Sequence, residues 1–437
     1  MTTSPKRLAI LAGGGPAPGI NSVIVAAAIR AQAAGIEVLG IQDGFKWLMK
    51  GDINHAKELH IEDISRRHYR GGSFLGIARD NPTKDPKAME NAVNALLRLN
   101  VGQLITIGGD DTAFSSMSLA EASKGRIHVV HVPKTIDNDL DLPHGIPTFG
   151  YNTARHVGVE IVKNLMVDAQ TTSRWYFVVA MGRKAGHLAL GIGKAVAATT
   201  VIIPEEFPEE TIRLKHLVDI LAGAILKRQS YGRQDGVAVL AEGLVEHLEP
   251  AELDKLENVE RDDHGHIRIA EVDFGRMLKQ AVVKRLAEFK LKTTIVEKNV
   301  GYELRCADPI SYDMEYARDL GYYAAKFLVD GGTGAMVSIQ NGRFVPLYFA
   351  DILDPKTKKT RVRMVDVKSE GYAIARQYML RLNKADFEDG QKLASLATTC
   401  KISLDEFRAQ FYYLIEQDAI LDLDDDSHVG REAVRPH

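Results

Sequence analysis

Cysteine is nearly absent from this 437-residue chain: Cys306 and Cys400 are the only two, far apart and in no CxxC spacing. A disulfide framework and a cysteine-based zinc site are therefore excluded, and the usage predicts a reducing, cytoplasmic setting. An excess of one charge is lacking as well. Lys and Arg number 55 against 58 Asp and Glu, a net charge of −3. No overall basic field is left to hold nucleic acid or an anionic membrane surface. Long unbroken apolar runs are missing too. Leu8 to Ile29 carries no charge and follows Lys6-Arg7, but Gly13, Gly14, Gly15, Pro16, Pro18 and Gly19 fall inside it. Such a cluster would leave backbone groups unsatisfied in lipid, so neither a membrane span nor a targeting segment is expected.

What is present is alternation. Short apolar runs predict strands at Leu8–Ala12, Glu37–Ile41, Gln103–Ile107, His128–Val132, Trp175–Ala180, Val237–Ala241 and Met336–Gln340. Amphipathic stretches predict helices at Asn21–Ala33, Pro86–Leu99, Asn152–Val167, Thr211–Lys227, Phe274–Phe289 and Met314–Val329. This order predicts an α/β fold with parallel-rich sheets flanked by helices, and ligands at the carboxyl ends of the strands. The length is roughly three times a common domain, which predicts two large lobes. Leu244–Arg268 is dense in charge and reads as a solvated excursion. Lys384–Tyr413 reads as helical, before an acidic tail at Asp422–Asp426.

Three loops carry chemistry. The first, GGGPAPGIN at Gly13–Asn21, lies between a strand and a helix, where glycines let backbone N–H groups approach a phosphate. It matches neither GxGxxG nor GxxxxGK[ST], so dinucleotide and P-loop readings fail, and a ligand-free tight turn is the alternative. The second, GGDDT at Gly108–Thr112, sets Asp110 and Asp111 beside two glycines. Carboxylates beside a phosphate site make sense if Mg²⁺ accompanies the phosphate; an Asp capping the next helix is the plainer alternative. The third, VPKTIDND at Val132–Asp139, supplies a cation, a hydroxyl and carboxylates within a few residues. Phosphoryl transfer to an alcohol needs those parts, although a solvated loop has the same composition.

In order along the chain, GGGPAPGIN, RGGSFLGIAR, GGDDT, PKTIDND, FGYNTA, AMGRKAGHLAL, AEG and GYELR resemble the successive signatures of the phosphofructokinase family. The resemblance runs from about Leu8 to about Gly334. It implies two Rossmann-like lobes with the active site between them, self-association as a homodimer or homotetramer, and Mg²⁺-assisted phosphorylation of fructose 6-phosphate in glycolysis or gluconeogenesis. It implies a donor and metal lobe at about 1–148 plus 308–350, a sugar-phosphate lobe at about 149–307, and a C-terminal helical extension at about 351–437.

Carried over by position, Asp137 is the general base, Thr135 helps to hold the sugar, and Asp139 supports the loop. Asp110 is the metal ligand, and Gly14, Gly15, Arg79 and Gly109 bind the donor. Arg183, Met181 and Gly182 serve the sugar and the reacting phosphate, and Glu242 binds sugar hydroxyls. Tyr302 and Arg305 complete the 6-phosphate site, and Arg174 reaches a partner subunit's sugar. ATP-using members resemble GGDG and PGTIDND, whereas Asp111 with Lys134 is the pairing of the pyrophosphate-dependent branch. A carboxylate where a nucleotide's α-phosphate would lie repels it, and a lysine suits a bare phosphate leaving group. The alternatives are ATP as donor, another acceptor such as sedoheptulose 7-phosphate, or a catalytically silent phosphate-sensing subunit. Pro16, where many members have Asp, departs from the pattern.

Overall fold

The computed structural model describes residues 6–207, 211–253, 272–352 and 361–418. Among these the strands are β1 (Arg7–Ala12), β2 (Val38–Ile41), β3 (Ala56–Glu58), β4 (Val101–Gly108), β5 (His128–Thr135), β6 (Phe149–Gly150), β7 (Trp175–Ala180), β8 (Thr200–Ile202), β9 (Gly236–Ala241), β10 (Ile295–Val300), β11 (Ala335–Gln340) and β12 (Arg343–Tyr348). The chain divides into two compact units, residues 1–157 with 301–363 and residues 158–300 with 364–437.

The first unit is built on a sheet ordered β12-β11-β5-β4-β1-β2-β3, with β6 beside β5. Its inner pairs are parallel, and only β3 and β12 run antiparallel to their neighbours. Leu8 to Ala12 are completely buried, as expected of a parallel strand covered on both faces. Helices Ile20–Gln32 and Ser311–Val329 pack against each other through Ala27, Ala28, Ala317 and Ala324. A Cβ on Gly321 would collide with the Val23 carbonyl, so that helix contact requires glycine. The order places a topological switch point between β1 and β4, where a crevice opens at the carboxyl ends.

The second unit has a parallel sheet ordered β10-β7-β9-β8. The described C-terminal residues, 364–418, belong to this unit instead of forming a separate extension. Lys227 on helix Leu214–Ser230 pairs with Asp386 at 2.6 Å, and Arg381 lies buried against Glu206. The stretch from Lys384 to Tyr413, read as helical, consists of successive short helices. Asp389 caps Gly390–Cys400, Lys401 takes a left-handed φ of 58°, and Ser403 with Glu406 closes a capping box on Leu404–Phe411. The charged excursion also starts differently from its composition: Leu244, Val245 and Leu248 are buried. Its remainder, 254–268, and the acidic tail lie outside the described residues.

Candidate active site

Thr112 is the wedge of the switch point. A Cβ on Gly13 would stand 2.7 Å from its hydroxyl oxygen, and one on Gly108 would overlap its Cβ. Both glycines thus let the loops after β1 and β4 close onto one buried threonine. Gly109 is the N-cap of the helix Asp110–Ala122, so neither Asp110 nor Asp111 caps it. Both carboxylates stand in the first turn, Asp110 half-buried and Asp111 exposed. The loop before Arg79 closes on the glycine loop, with Gly14 N–H donating to the Ala78 carbonyl at 2.9 Å. Asn21, placed by sequence at the end of the glycine loop, lies inside the first helix. Its amide donates to the Arg70 carbonyl at 2.9 Å and accepts from Phe74 N–H at 3.0 Å.

These elements enclose a cavity of about 240 Å³ lined by Gly14, Gly15, Phe45, Arg79, Asp80, Asn81, Asp111, Thr112 and Ser115. Sequence reasoning reached Gly14, Gly15, Arg79 and Asp111; it assigned nothing to Phe45, Asp80, Asn81 or Ser115. Asn81, ahead of Pro82, carried a turn signal. Its side-chain oxygen accepts from the Ser115 hydroxyl at 3.1 Å and from Thr83 N–H at 2.9 Å.

Lys134, at the end of β5, is 5% exposed, and its ammonium donates to the Gly15 carbonyl. Burial pushes its pKa down to about 8; Asp137 and Asp139 oppose that, and Arg305 and Arg79 reinforce it. Beyond it Asp137 is half-buried, and its N–H donates to the Thr135 hydroxyl at 3.0 Å. Beneath the site His131 is fully buried. Its Nε2 lies 3.0 Å from the Gly108 carbonyl and its Nδ1 2.8 Å from the Thr106 hydroxyl. A carbonyl only accepts, so Nε2 carries the proton and the Thr106 hydroxyl donates to Nδ1. Burial pushes this imidazole's pKa down to about 3.

Arg305 and Tyr302 correct an expectation. They belong to the first unit, because the chain passes from one unit to the other at Gly301. The Arg305 guanidinium covers Gly15 so closely that a Cβ there would collide with it, and it stacks 5.5 Å from the Tyr302 ring. Tyr302 itself is 79% exposed. Gly15 and Lys134 therefore have Arg305 beside them within this unit.

In the second unit the loops after β7 and β9 meet. Gly182 N–H donates to the Glu242 carboxylate at 3.3 Å, and Gly243 N–H donates back to the Gly182 carbonyl at 3.1 Å. Met181 N–H donates to Val300 at 3.0 Å, and Arg183 points outward, exposed. Glu205, which sequence reasoning missed, accepts from Gly186 N–H at 2.8 Å and from Val365 N–H at 3.0 Å; burial raises its pKa. Arg174 stands apart. It precedes β7, whose six residues at about 3.3 Å each put it roughly 20 Å from Met181 at the other end. Its nearest acid is Asp168, at 3.9 Å.

Among the described residues no cluster of three or more His, Cys, Asp or Glu side chains forms a metal cage, and no helix is long and apolar enough to cross a membrane. The pair Asp110 and Asp111 beside the cavity fits Mg²⁺, which takes one or two carboxylates and keeps its other positions for phosphate oxygens and water.

Comparison with known proteins agrees with this architecture. A pyrophosphate–fructose 6-phosphate 1-phosphotransferase of Thermotoga maritima is 52% identical over 416 residues, covering 94% of this chain and 99% of its own. An enzyme of the same name from Naegleria fowleri is 50% identical, covering 94% and 97%. In fold, the chain is similar to a pyrophosphate-dependent phosphofructokinase from Nitrosospira multiformis, with a TM-score of 0.65 at 16% identity over 86% and 91% of the two chains. It is also similar to Saccharomyces cerevisiae phosphofructokinase, with a TM-score of 0.61 at 20% identity over 94% of this chain, which spans about half (49%) of that one. The profile of the family described as Phosphofructokinase matches residues 7–328, and with relatives this similar along nearly their whole length the chain belongs to that family.

Proposed function

We propose that the protein transfers a phosphoryl group reversibly between pyrophosphate and the 1-hydroxyl of fructose 6-phosphate. The observation that carries this reading is the cavity at Gly14, Gly15 and Arg79. Its volume of about 240 Å³ is below the roughly 300–1,000 Å³ of pockets for drug-sized ligands, and Phe45 is the one aromatic ring in its lining. A small dense anion suits it better than a nucleotide. The names of the Thermotoga and Naegleria relatives support the same donor and acceptor.

In this reading the Asp137 carboxylate takes the proton of the sugar 1-hydroxyl. That oxygen bonds to the terminal phosphorus of pyrophosphate, the bridging P–O bond breaks, and orthophosphate leaves. Lys134, with Arg79 and Arg305 near it, balances the charge on the departing phosphate. Asp110, with Asp111 beside it, would hold Mg²⁺, which when bound would supply charge neutralisation and orientation to the phosphate oxygens. Thr135, Met181, Gly182, Arg183 and Glu242 bind the sugar. Tyr302 and Arg305 serve its 6-phosphate, Arg305 from beside the donor loop. Arg174 lies at the wrong end of β7 to join Met181 to Arg183 of its own chain. It acts on a second copy, which makes the enzyme at least a homodimer.

The test is one assay of purified protein with Mg²⁺ and fructose 6-phosphate, comparing pyrophosphate with ATP. Turnover with pyrophosphate alone is expected, and fructose 1,6-bisphosphate plus orthophosphate should regenerate pyrophosphate. A higher kcat/KM with ATP would overturn the donor. A higher kcat/KM with sedoheptulose 7-phosphate would overturn the acceptor, and silence with every donor would leave a sensing subunit.

A further inference from the structure

The loop that carries Asp137 is held by an arginine 225 positions further along the sequence. Arg363 Nε donates to the Asn138 carbonyl at 3.0 Å, Nη1 donates to the Ile146 carbonyl at 2.8 Å, and Nη2 donates to the Asn138 side-chain oxygen. Its own N–H donates to the Asp139 carbonyl at 2.9 Å, and Val362 bridges antiparallel to Leu140. Asn138 is left-handed, with φ 57°, a conformation outside the usual range of L-residues and one that Asn tolerates better than most. The same Asn138 oxygen accepts from Thr148 N–H at 3.1 Å, and the Thr148 hydroxyl donates to the Thr135 carbonyl at 2.8 Å. Every one of these groups lies in the first unit.

We propose that Arg363 is a positioning residue for phosphoryl transfer, fixing the left-handed turn at Asn138 so that the adjacent Asp137 carboxylate stands where it removes the proton of the sugar hydroxyl. This rests on the reading of Asp137 as the base. The guanidinium suits the task by its planar fork: three of its N–H directions are used on two carbonyls and an amide oxygen that point different ways. A lysine, with one nitrogen, cannot reach all three. The consequence for rate follows from geometry, since misplacing a reacting group by about 1 Å costs on the order of 10²-fold.

The experiment is a kinetic cycle with Arg363→Ala, Arg363→Lys and Asp137→Asn. Arg363→Ala is expected to lower kcat by about 10- to 100-fold while both KM values stay within about threefold. Arg363→Lys should fall between it and the parent, and added guanidinium should partly restore the alanine variant. Amide hydrogen exchange should speed up over residues 135–141 and remain unchanged over β1 and β4. In the Asp137→Asn background the arginine substitution should cost almost nothing further, because it acts through the base. Should Arg363→Ala fail to fold, the lysine variant carries the same kinetic and exchange readouts. Wild-type kcat in the folded variant, or an undiminished loss in the Asp137→Asn background, overturns the role of Arg363. If Asp137→Asn itself keeps more than about a tenth of its activity, the base assignment fails instead. Locally faster exchange with a lowered kcat would then leave Arg363 positioning a loop with a different function.

Discussion

The Lys134 ammonium donates to the carbonyl of Gly15, tying the end of β5 to the loop after β1 across the intervening strand β4. The glycine loop thus presents a carbonyl to the cation, while its Gly13 and Gly14 N–H groups are taken by the Ile107 and Ala78 carbonyls. When an anion enters, the ammonium exchanges a neutral acceptor for a charged one and gains Coulombic attraction, which is stronger in a buried site than in water. The site is therefore preorganised, with its cation already buried.

That burial has a pH signature. In the free enzyme the Lys134 pKa is pushed down to about 8, so the ammonium is cationic below that pH and neutral above it. kcat/KM for pyrophosphate should be flat up to about pH 8 and then fall about tenfold per unit, because kcat/KM reports the free enzyme. The limb in kcat should lie higher, since bound pyrophosphate favours the charged lysine. Lys134→Arg should move the limb beyond the accessible range. A limb that stays near pH 8 in that variant belongs to another group.

His131 makes an opposite kind of prediction, one about stability. Its folded pKa of about 3 lies far below the unfolded value of about 6.5, so the unfolded chain takes up a proton that the folded one refuses. The stability that a neutral imidazole permits is complete above about pH 6.5. It is lost as pH falls toward 3, by up to about 1.4 kcal/mol per pH unit. Urea unfolding at pH 7, 6 and 5 should show this slope, and His131→Gln should lack that component. Parallel slopes in the two proteins would remove His131 from the acid response. Activity between pH 6 and 8 should be insensitive to its charge, because it has none there.

The sequence made the parallel framework legible, because β1, β4, β5, β7 and β9 are apolar runs buried on both faces. It concealed β10, an edge strand whose polar Glu297, Lys298 and Asn299 break the apolar pattern. β12 was concealed as well, since it carries Pro346 on an antiparallel edge. Within the site, residues bound to a local motif were readable: Gly15, Asp110, Lys134 and Asp137 each sit where a strand gives way to its loop. Arg363 was not, because nothing in its neighbourhood announces a loop 225 residues earlier. His131 was hidden by its own strand, where a neutral imidazole serves as one more buried side chain. Arg305 was assigned to the wrong lobe because alignment gives order along the chain and not the point where the chain crosses between units.

The position of Arg174 before β7 predicts complementation between damaged subunits. Arg174→Ala and Asp137→Asn should each be nearly inactive alone. A mixed dimer has one site with both residues intact and one with neither, so random mixing should restore about a quarter of wild-type activity. No recovery after verified subunit exchange would place Arg174 outside the partner's site.

On the proposed reading Asp111 would decide between donors. It is exposed in the first turn of its helix and lines the donor cavity beside Gly14 and Arg79. If its charge and bulk reject a nucleotide, Asp111→Gly should open the path of an α-phosphate and raise kcat/KM for ATP by more than the tenfold that about 1.4 kcal/mol represents. Pyrophosphate turnover should fall in the same variant. Adding Lys134→Gly should depress pyrophosphate use further while costing ATP use much less, because the lysine's charge matters most when the leaving group is bare phosphate. The competing explanation is purely local: a carboxylate favoured by the positive end of the helix dipole. Since Gly109 is the N-cap, Asp111 has no capping hydrogen bond to lose, and its removal costs the dipole interaction of about 0.3–1 kcal/mol plus glycine's poor helix propensity of about 1 kcal/mol. That explanation predicts a lower melting temperature at an unchanged ratio of ATP to pyrophosphate kcat/KM. Asp111→Asn separates the contributions further. It keeps the bulk and removes the charge, so a gain in ATP use with asparagine assigns the rejection to electrostatics, and a gain with glycine alone assigns it to space.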